Sequence, residues 1–224
     1  MLLKVRRSDT GGKVRIPGSK SHTIRALFIA SLAEGTSEIE SPLFSDDALS
    51  AVGTCRSFGA CIETDGNKFI VRGFGGNPKI PDDVIDVGNS GTTLRFGMMT
   101  AGLSGGWTVF TGDEQIRRRP VGPLMDAMNN LGARVFSTRN NGAAPVVVGG
   151  GLKGGKTLLD SVTSQYLSSM LINSPLLEND TEIDLIRLNE IPYVDMTLWW
   201  LDRQGIQYKN EGYKTFLVKG GQKY

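Results

Sequence analysis

Three phrases recur in the same order along the 224-residue chain, at near-equal intervals of about a third of its length. The first is a small polar stretch suited to opening a helix: Gly18-Ser19-Lys20-Ser21, Gly88-Asn89-Ser90-Gly91-Thr92 and Val162-Thr163-Ser164-Gln165. The second ends a helix and enters a strand: Phe58-Gly59-Ala60, Leu131-Gly132-Ala133 and Gln204-Gly205-Ile206, with the three glycines equally spaced. The third is an apolar strand closed by glycine: Val71-Arg72-Gly73, Val147-Val148-Gly149 and Leu217-Val218-Lys219-Gly220. A repeat of this length constrains the architecture before any single element does. Three like units packed about a pseudo-threefold axis aim three helix N-termini at one place, where free N–H groups and helix dipoles favour anions.

Within unit one, Ile24 to Leu32 has helical spacing and Gly35 ends that helix. Thr36 to Ile39 suits a strand, and Ser45-Asp46-Asp47 caps a second helix running to Phe58. Cys61–Thr64 and Lys68–Val71 form a hairpin across Asp65-Gly66-Asn67. Unit two repeats the plan: a helix over Thr93–Leu103, a strand over Trp107–Thr111, a helix from Pro120 to Leu131, and strands at Arg134–Ser137 and Val146–Val148. Unit three offers helices over Gln165–Ile172 and Pro192–Arg203, with strands at Thr181–Leu188, Ile206–Asn210 and Thr215–Val218. Second-helix starts at Asp47, Pro120 and Tyr193 keep the interval of the glycines. Each unit reads α-β-α-β-β. The first helices have no polar face, as in Ala26-Leu27-Phe28-Ile29-Ala30 and Phe96-Gly97-Met98-Met99. Such helices are buried, so an α/β fold with helices inside and sheets outside is expected.

The ends fit the repeat less well. Leu2-Leu3-Lys4-Val5, a Gly11-Gly12 turn and Val14-Arg15-Ile16 read as a strand and its return, broken by Pro17-Gly18. Gly220 to Tyr224 runs past the last strand without a cap. Both features suggest part of a larger protein. A net charge of +2 does not favour nucleic acid, and no apolar run reaches the roughly 20 residues of a membrane span. The N-terminus lacks a signal-peptide core. Two cysteines, Cys55 and Cys61, can pair in principle but make no disulfide framework, so a reduced, cytoplasmic chain is expected. No spacing of His, Cys and carboxylates fits a zinc site.

The candidate chemistry lies at the helix starts. Ser19, Lys20, Ser21 and Arg25 can hold phosphate oxygens through hydroxyls, N–H groups, a point charge and a bidentate guanidinium; an ordinary serine cap with exposed basic residues is the plain alternative. Asn89 to Thr92 with Arg95 is a second cradle, in which Gly91 admits close backbone approach. The loop Thr111 to Pro120 carries Arg117, Arg118 and Arg119, either an anion clamp or a solvated basic run. Thr163, Ser164 and Gln165 supply hydroxyls and an amide. The single histidine, His22, reads as a surface residue rather than a base, and Asp47 as a cap that can orient a neighbouring cation.

Taken together, Pro17-Gly18-Ser19-Lys20-Ser21 with Arg25, Gly88–Thr92 with Arg95, Thr111-Gly112-Asp113 leading to Arg119-Pro120, Ser164-Gln165 and Pro192-Tyr193-Val194-Asp195 resemble, in order, the N-terminal half of the 5-enolpyruvylshikimate-3-phosphate (EPSP) synthases. The resemblance implies an inside-out α/β domain of three six-element β-α-β-α-β-β units with pseudo-threefold symmetry. Units of about 19–83, 84–150 and 151–220 follow, with residues 1–18 mainly in a second domain and 221–224 beginning a crossover. It implies transfer of the enolpyruvyl group of phosphoenolpyruvate to the 5-hydroxyl of shikimate 3-phosphate, without metal or organic cofactor. The partners implied are these two substrates and a C-terminal half, without which the chain is expected to be inactive.

By position, Lys20 resembles the lysine that contacts phosphoenolpyruvate and serves proton transfer. Lys20, Ser21, Arg25, Thr163, Ser164 and Tyr193 resemble shikimate-3-phosphate ligands, and Asn89, Gly91 and Arg119 the phosphoenolpyruvate site, with Asn89 shaping the loop. Gln165 resembles the glutamine between both substrates. Three positions depart from the pattern: Thr163 replaces a usual serine, Phe96 a frequent proline, and Glu190 a small hydroxyl residue beside the substrate phosphate. A carboxylate there is expected to repel phosphate by about a kcal/mol or more unless it turns away or pairs with a cation. Two other readings remain at this stage: a non-catalytic phosphosugar-binding module, and an enzyme like UDP-N-acetylglucosamine enolpyruvyl transferase. The latter type uses a cysteine in the loop that here runs from Asp113 to Arg119 without one.

Overall fold

The computed structural model describes residues 3–9 and 11–224. Unit one comprises α1 (Lys20–Leu32), β1 (Thr36–Glu40), α2 (Asp46–Ser57), β2 (Cys61–Asp65) and β3 (Lys68–Arg72). Unit two comprises β4 (Ile85–Asp86), α3 (Gly91–Ala101), β5 (Trp107–Thr111), a 3-10 turn (Ile116–Arg118), α4 (Gly122–Asn130), β6 (Arg134–Ser137) and β7 (Val146–Gly149). Unit three comprises β8 (Gly155–Ser161), α5 (Ser164–Asn173), a 3-10 turn (Ser174–Leu176), β9 (Thr181–Leu188), α6 (Ile191–Arg203), β10 (Tyr208–Glu211) and β11 (Thr215–Val218).

The first helices form the centre. Every residue of α1 from Thr23 to Leu32 is buried, and α3 and α5 each leave only one residue less than buried. Phe28 of α1 meets Phe96 of α3 edge-on at 5.5 Å between ring centroids. Thr100 of α3 donates to Asn173 Oδ1 of α5 at 3.0 Å, and Asn173 Nδ2 donates to Ser169 O at 2.9 Å, so the polar groups at this junction are paired. The second helices are amphipathic and bury one face: Ala48, Ala51, Val52 and Cys55 in α2, Leu124, Ala127 and Met128 in α4, Val194, Leu198 and Leu201 in α6. The sheets lie outside these helices, so their strands alternate buried and exposed side chains.

Gly59, Gly132 and Gly205 follow the second helices with φ of +106°, +105° and +69°. Positive φ there turns each chain from helix into strand at no side-chain cost, which is why the spacing of these glycines is so regular.

The sheets run β1-β3-β2, β4-β5-β7-β6 and β10-β11-β9-β8. Strands β4 and β8 pair in parallel with β5 and β9; the remaining ladders are antiparallel. Units two and three therefore hold the full β-α-β-α-β-β plan. Unit one shows five of its six elements among the described residues. Its β1 keeps an edge with no paired strand among the described residues, beside a groove of about 290 Å³ whose lining includes Ala26, Ile29, Ala30, Ile39 and Trp200.

Two expectations need correcting. Residues 3–9 and 11–18 form no strand, and Leu3, Val5, Val14 and Ile16 are exposed because no sheet edge lies against them; Leu2 falls outside the described residues. Helix α4 opens at Gly122 with Pro123 in its first turn, not at Pro120. Pro120 instead bridges to Ala143, since the 3-10 turn at Ile116–Arg118 takes up the chain between β5 and α4.

No helix among the described residues is long and apolar enough to cross a membrane. Cys55 and Cys61 are both free thiols; burial pushes Cys55 up to about 12.

Candidate functional site

Each central helix opens on its own hydroxyl cap. Ser19 Oγ accepts from His22 N at 3.4 Å, Ser90 Oγ from Thr93 N at 3.4 Å, and Thr163 Oγ1 from Gln165 N at 3.5 Å. The three starts converge on a cleft of about 170 Å³. Its lining is Lys20, Ser21, Arg25, Thr92, Ser164, Gln165, Glu190 and Tyr193.

Arg25 sits one turn into α1 and is 2% exposed. Its Nε donates to Thr197 Oγ1 at 2.8 Å, Nη1 to Ser21 O at 3.1 Å, and Nη2 to Ser168 Oγ at 3.1 Å and Tyr193 O at 3.0 Å. The guanidinium also lies over the Phe96 ring, 5.5 Å from its centroid. All these partners are neutral, so the charge is oriented but not compensated. Burial lowers its pKa to about 10, which leaves it cationic at neutral pH. Of the five N–H donors on a guanidinium, one on Nη1 has no protein partner among the described residues.

Arg95 is the counterpart of Arg25 in α3. Its Nη1 donates to Gly91 O and to Gln165 Oε1, both at 2.9 Å, and its Nη2 to Pro120 O at 3.0 Å. The guanidinium rests over Tyr166, 5.4 Å from the ring centroid, and burial lowers its pKa. Arg95 thus fixes the side-chain amide of Gln165 at the edge of the cleft. The sequence motif includes Arg95 without giving it a contact; the one signal for its role was that it follows Gly88 at the spacing at which Arg25 follows Gly18.

Gly91 lies close against two guanidinium groups, which a side chain here would push aside. A Cβ there would lie 2.6 Å from Arg95 Nη1 and 3.0 Å from Arg119 Nη1. Arg119 donates to Asn89 Oδ1 at 3.1 Å. Within the basic run, Arg117 bonds Gly112 O and Arg118 pairs with Glu114, so Arg119 is the arginine turned toward the second helix start. Asn89, Gly91 and Arg119 form a group beside the cleft rather than on its wall.

Lys20 is half-exposed, and its Nζ lies 3.6 Å from Asp47. His22 is half-buried rather than free on the surface: its Nδ1 accepts from Trp200 Nε1 at 3.1 Å, and it packs against Trp199 and Trp200. Burial and the charge of Arg25 lower its pKa. It lines the groove beside β1 and not the cleft.

Glu190 does not turn away from α5, and no cation pairs with it among the described residues. Its Oε2 accepts from Ser164 N at 3.0 Å, Ser164 Oγ at 2.9 Å and Thr163 Oγ1 at 3.1 Å. Burial alone would raise its pKa, but the Ser164 and Thr163 donors outweigh this and hold it below the usual value. Its backbone is left-handed, φ 60° and ψ 44°.

The family profile for EPSP synthase (3-phosphoshikimate 1-carboxyvinyltransferase) matches residues 5–224. The chain belongs to the EPSP synthase family. It is 72% identical over 224 residues to the 3-phosphoshikimate 1-carboxyvinyltransferase of Acetivibrio thermocellus and 58% identical to that of Ruminiclostridium cellulolyticum. Each match covers 100% of this chain and 53% of the relative, so the chain spans about half the length of these curated relatives. The solved structure of EPSP synthase from Acinetobacter baumannii superposes with a TM-score of 0.84 at 29% identity, covering 95% of this chain and 47% of that one. The inside-out α/β fold expected from the repeat is therefore that of the EPSP synthases. The cleft lies where the first helices of the three repeats meet.

Proposed function

We propose that this chain forms the substrate-binding half of an enzyme that transfers enolpyruvyl from phosphoenolpyruvate to the 5-hydroxyl of shikimate 3-phosphate. The observation that carries the reading is Arg25, a buried guanidinium on the cleft wall with only neutral oxygen partners among the described residues. A buried cation held this way is placed for an anion. Ser21, Arg25, Thr163, Ser164 and Tyr193 hold shikimate 3-phosphate, and Gln165, oriented by Arg95, lies between the two substrates. Asn89, Gly91 and Arg119 take the phosphate of phosphoenolpyruvate, with Lys20 beside it.

In the reaction, C3 of phosphoenolpyruvate gains a proton while the 5-oxygen loses its own and bonds to C2, giving a tetrahedral adduct. C3 then returns a proton as the C2–O bond to phosphate breaks. The chain's contribution is to bring two anions together and to hold their charge with fixed donors. Lys20, held near Asp47, serves the proton transfers.

On the same reading, residues 1–18 pack mainly on a second domain and 221–224 start the crossover to it. The chain is inactive without that domain, and it acts in the cytoplasm, where Cys55 and Cys61 stay reduced. Mixing the chain with the C-terminal half of the Acetivibrio thermocellus relative tests this: phosphate release that needs both pieces and both substrates is expected, and is lost in Arg25→Ala. Two folded pieces that associate yet release no phosphate would overturn it.

A further inference from the structure

The anion-binding start of α5 already holds an anion, and it belongs to the protein. A single oxygen of Glu190 receives the Ser164 N–H and the hydroxyls of Ser164 and Thr163 at 2.9–3.1 Å. One main-chain donor, two hydroxyls and a helix dipole converging on one oxygen are the means by which a protein holds a phosphate oxygen. The starts of α1 and α3 are capped by Ser19 and Ser90 from within their own segments. At α5 a charged group also arrives from the turn before α6, 26 residues further along the chain.

We propose that Glu190 is an internal counter-anion, occupying the phosphate cradle of α5 so that a phosphorylated ligand enters by displacing it. The proposal rests on the reading above that Thr163 and Ser164 receive the substrate phosphate. A carboxylate and a phosphate cannot share these donors, because they need the same hydrogens and repel at that distance. Displacement has a route: Glu190 is exposed on its outer side and sits on a left-handed residue at the head of α6, so its side chain can swing into water while α6 stays in place. Once it leaves, Arg25 and Lys20 remain on the cleft wall to hold the incoming charge.

Occupancy by Glu190 also sets specificity. A neutral ligand cannot compete for donors already bound to a carboxylate, whereas a phosphate dianion with three acceptor oxygens can. The cleft with Glu190 in place therefore discriminates against the unphosphorylated form of the same ligand.

The test is a titration of the chain with inorganic phosphate, followed at the backbone amide of Ser164, in the unchanged protein, Glu190→Ala and Glu190→Gln. Phosphate is expected to bind Glu190→Ala at least tenfold more tightly than the unchanged chain. Glu190→Gln, which keeps an acceptor oxygen but loses the charge, should fall between them and carries the test if the alanine variant does not fold. Equal or weaker phosphate binding in both variants, or a Ser164 amide unmoved by phosphate in both, overturns the proposal. A parallel titration with shikimate 3-phosphate separates the two readings. If that ligand binds no better than phosphate while the variants still gain tenfold, the substrate assignment fails and the counter-anion stands. If it binds well and the variants gain nothing, the reverse holds.

Discussion

The starts of α1 and α5 face the same cleft from equivalent places in the repeat, yet they present opposite charges. At α1, Lys20 and Arg25 bring two cations, and the only carboxylate paired with either among the described residues is Asp47, 3.6 Å from Lys20. At α5 the helix offers neutral donors from Thr163 and Ser164, and Glu190 fills them. The repeat thus supplies position and capping, whereas the chemistry comes from the residues in which the copies differ. Position is also what makes the difference useful: a cationic start and a carboxylate-filled start on one cleft form a site that one ligand can bridge.

The comparison breaks most severely if α1 loses its buried cation. Arg25→Ala removes four hydrogen bonds and leaves the Thr197 and Ser168 hydroxyls bonded only to each other and to Tyr193 O. Losing one charge-assisted bond to a ligand costs about 1.5–3 kcal/mol, so shikimate 3-phosphate should bind roughly 10- to 100-fold more weakly by calorimetry. Arg25→Lys should not rescue it, because an ammonium cannot span the donors that the planar fork reaches. Unchanged affinity in Arg25→Ala would remove α1 from the site, and rescue by Arg25→Lys would mean that charge alone, not the fork, is used.

A smaller effect is expected at the neighbouring start. The Cβ of Gly91→Ala would displace the Arg95 and Arg119 guanidinium groups from positions 2.6 and 3.0 Å away. Phosphoenolpyruvate binding in the reconstituted enzyme should weaken by about tenfold, about 1.4 kcal/mol, with shikimate 3-phosphate binding retained. Equal loss of both ligands would mean that the two groups of residues are not separable.

Lys20→Ala should change stability by less than about 0.5 kcal/mol in urea unfolding, because its pairing with Asp47 is half-exposed. Its effect should fall on ligand binding and turnover. A large loss of stability would make Lys20 a structural residue.

The smallest effect is the acid dependence contributed by Glu190. Its folded pKa is depressed, so its capping of α5 is fully present above its ordinary value of 4.5 and is lost as pH falls through the lower folded value. Exposure limits this to a few tenths of a kcal/mol. Urea unfolding between about pH 6 and pH 3 should show a slightly steeper loss of stability in the unchanged chain than in Glu190→Gln, since Asp160 and Asp184 contribute equally to both. A matching slope in both would mean that Glu190 is not ionised on α5.

Much of this was legible in the sequence because it is local or repeated. The glycines at 59, 132 and 205 announced positive φ, and the unbroken apolar faces of α1 and α3 announced burial. Strand β4 was not, since two residues carry no period; nor was β8, where two of the inward positions, Thr157 and Ser161, are polar and the apolar Leu158 faces out. Pro120 misled because a proline suits both a helix start and a bridge. The exposed apolar residues Leu3, Val5, Val14 and Ile16 promised strands, but a strand needs an edge to pair with, which local sequence does not reveal. Of the site, the hydroxyl caps, Lys20 and Arg25 followed from their own segments. The grip of Arg95 on Gln165 and of Glu190 on Ser164 joins residues far apart in the chain, and only packing of separate elements creates such contacts.

The central claim is that three helix starts form one anion-binding cleft. Mapping amide shifts of the chain during a shikimate 3-phosphate titration tests it most directly. The expected result is movement at Ser21, Thr92, Ser164 and Gln165 together, along one saturation curve. Movement confined to a single helix start, or none in a folded sample, would contradict it.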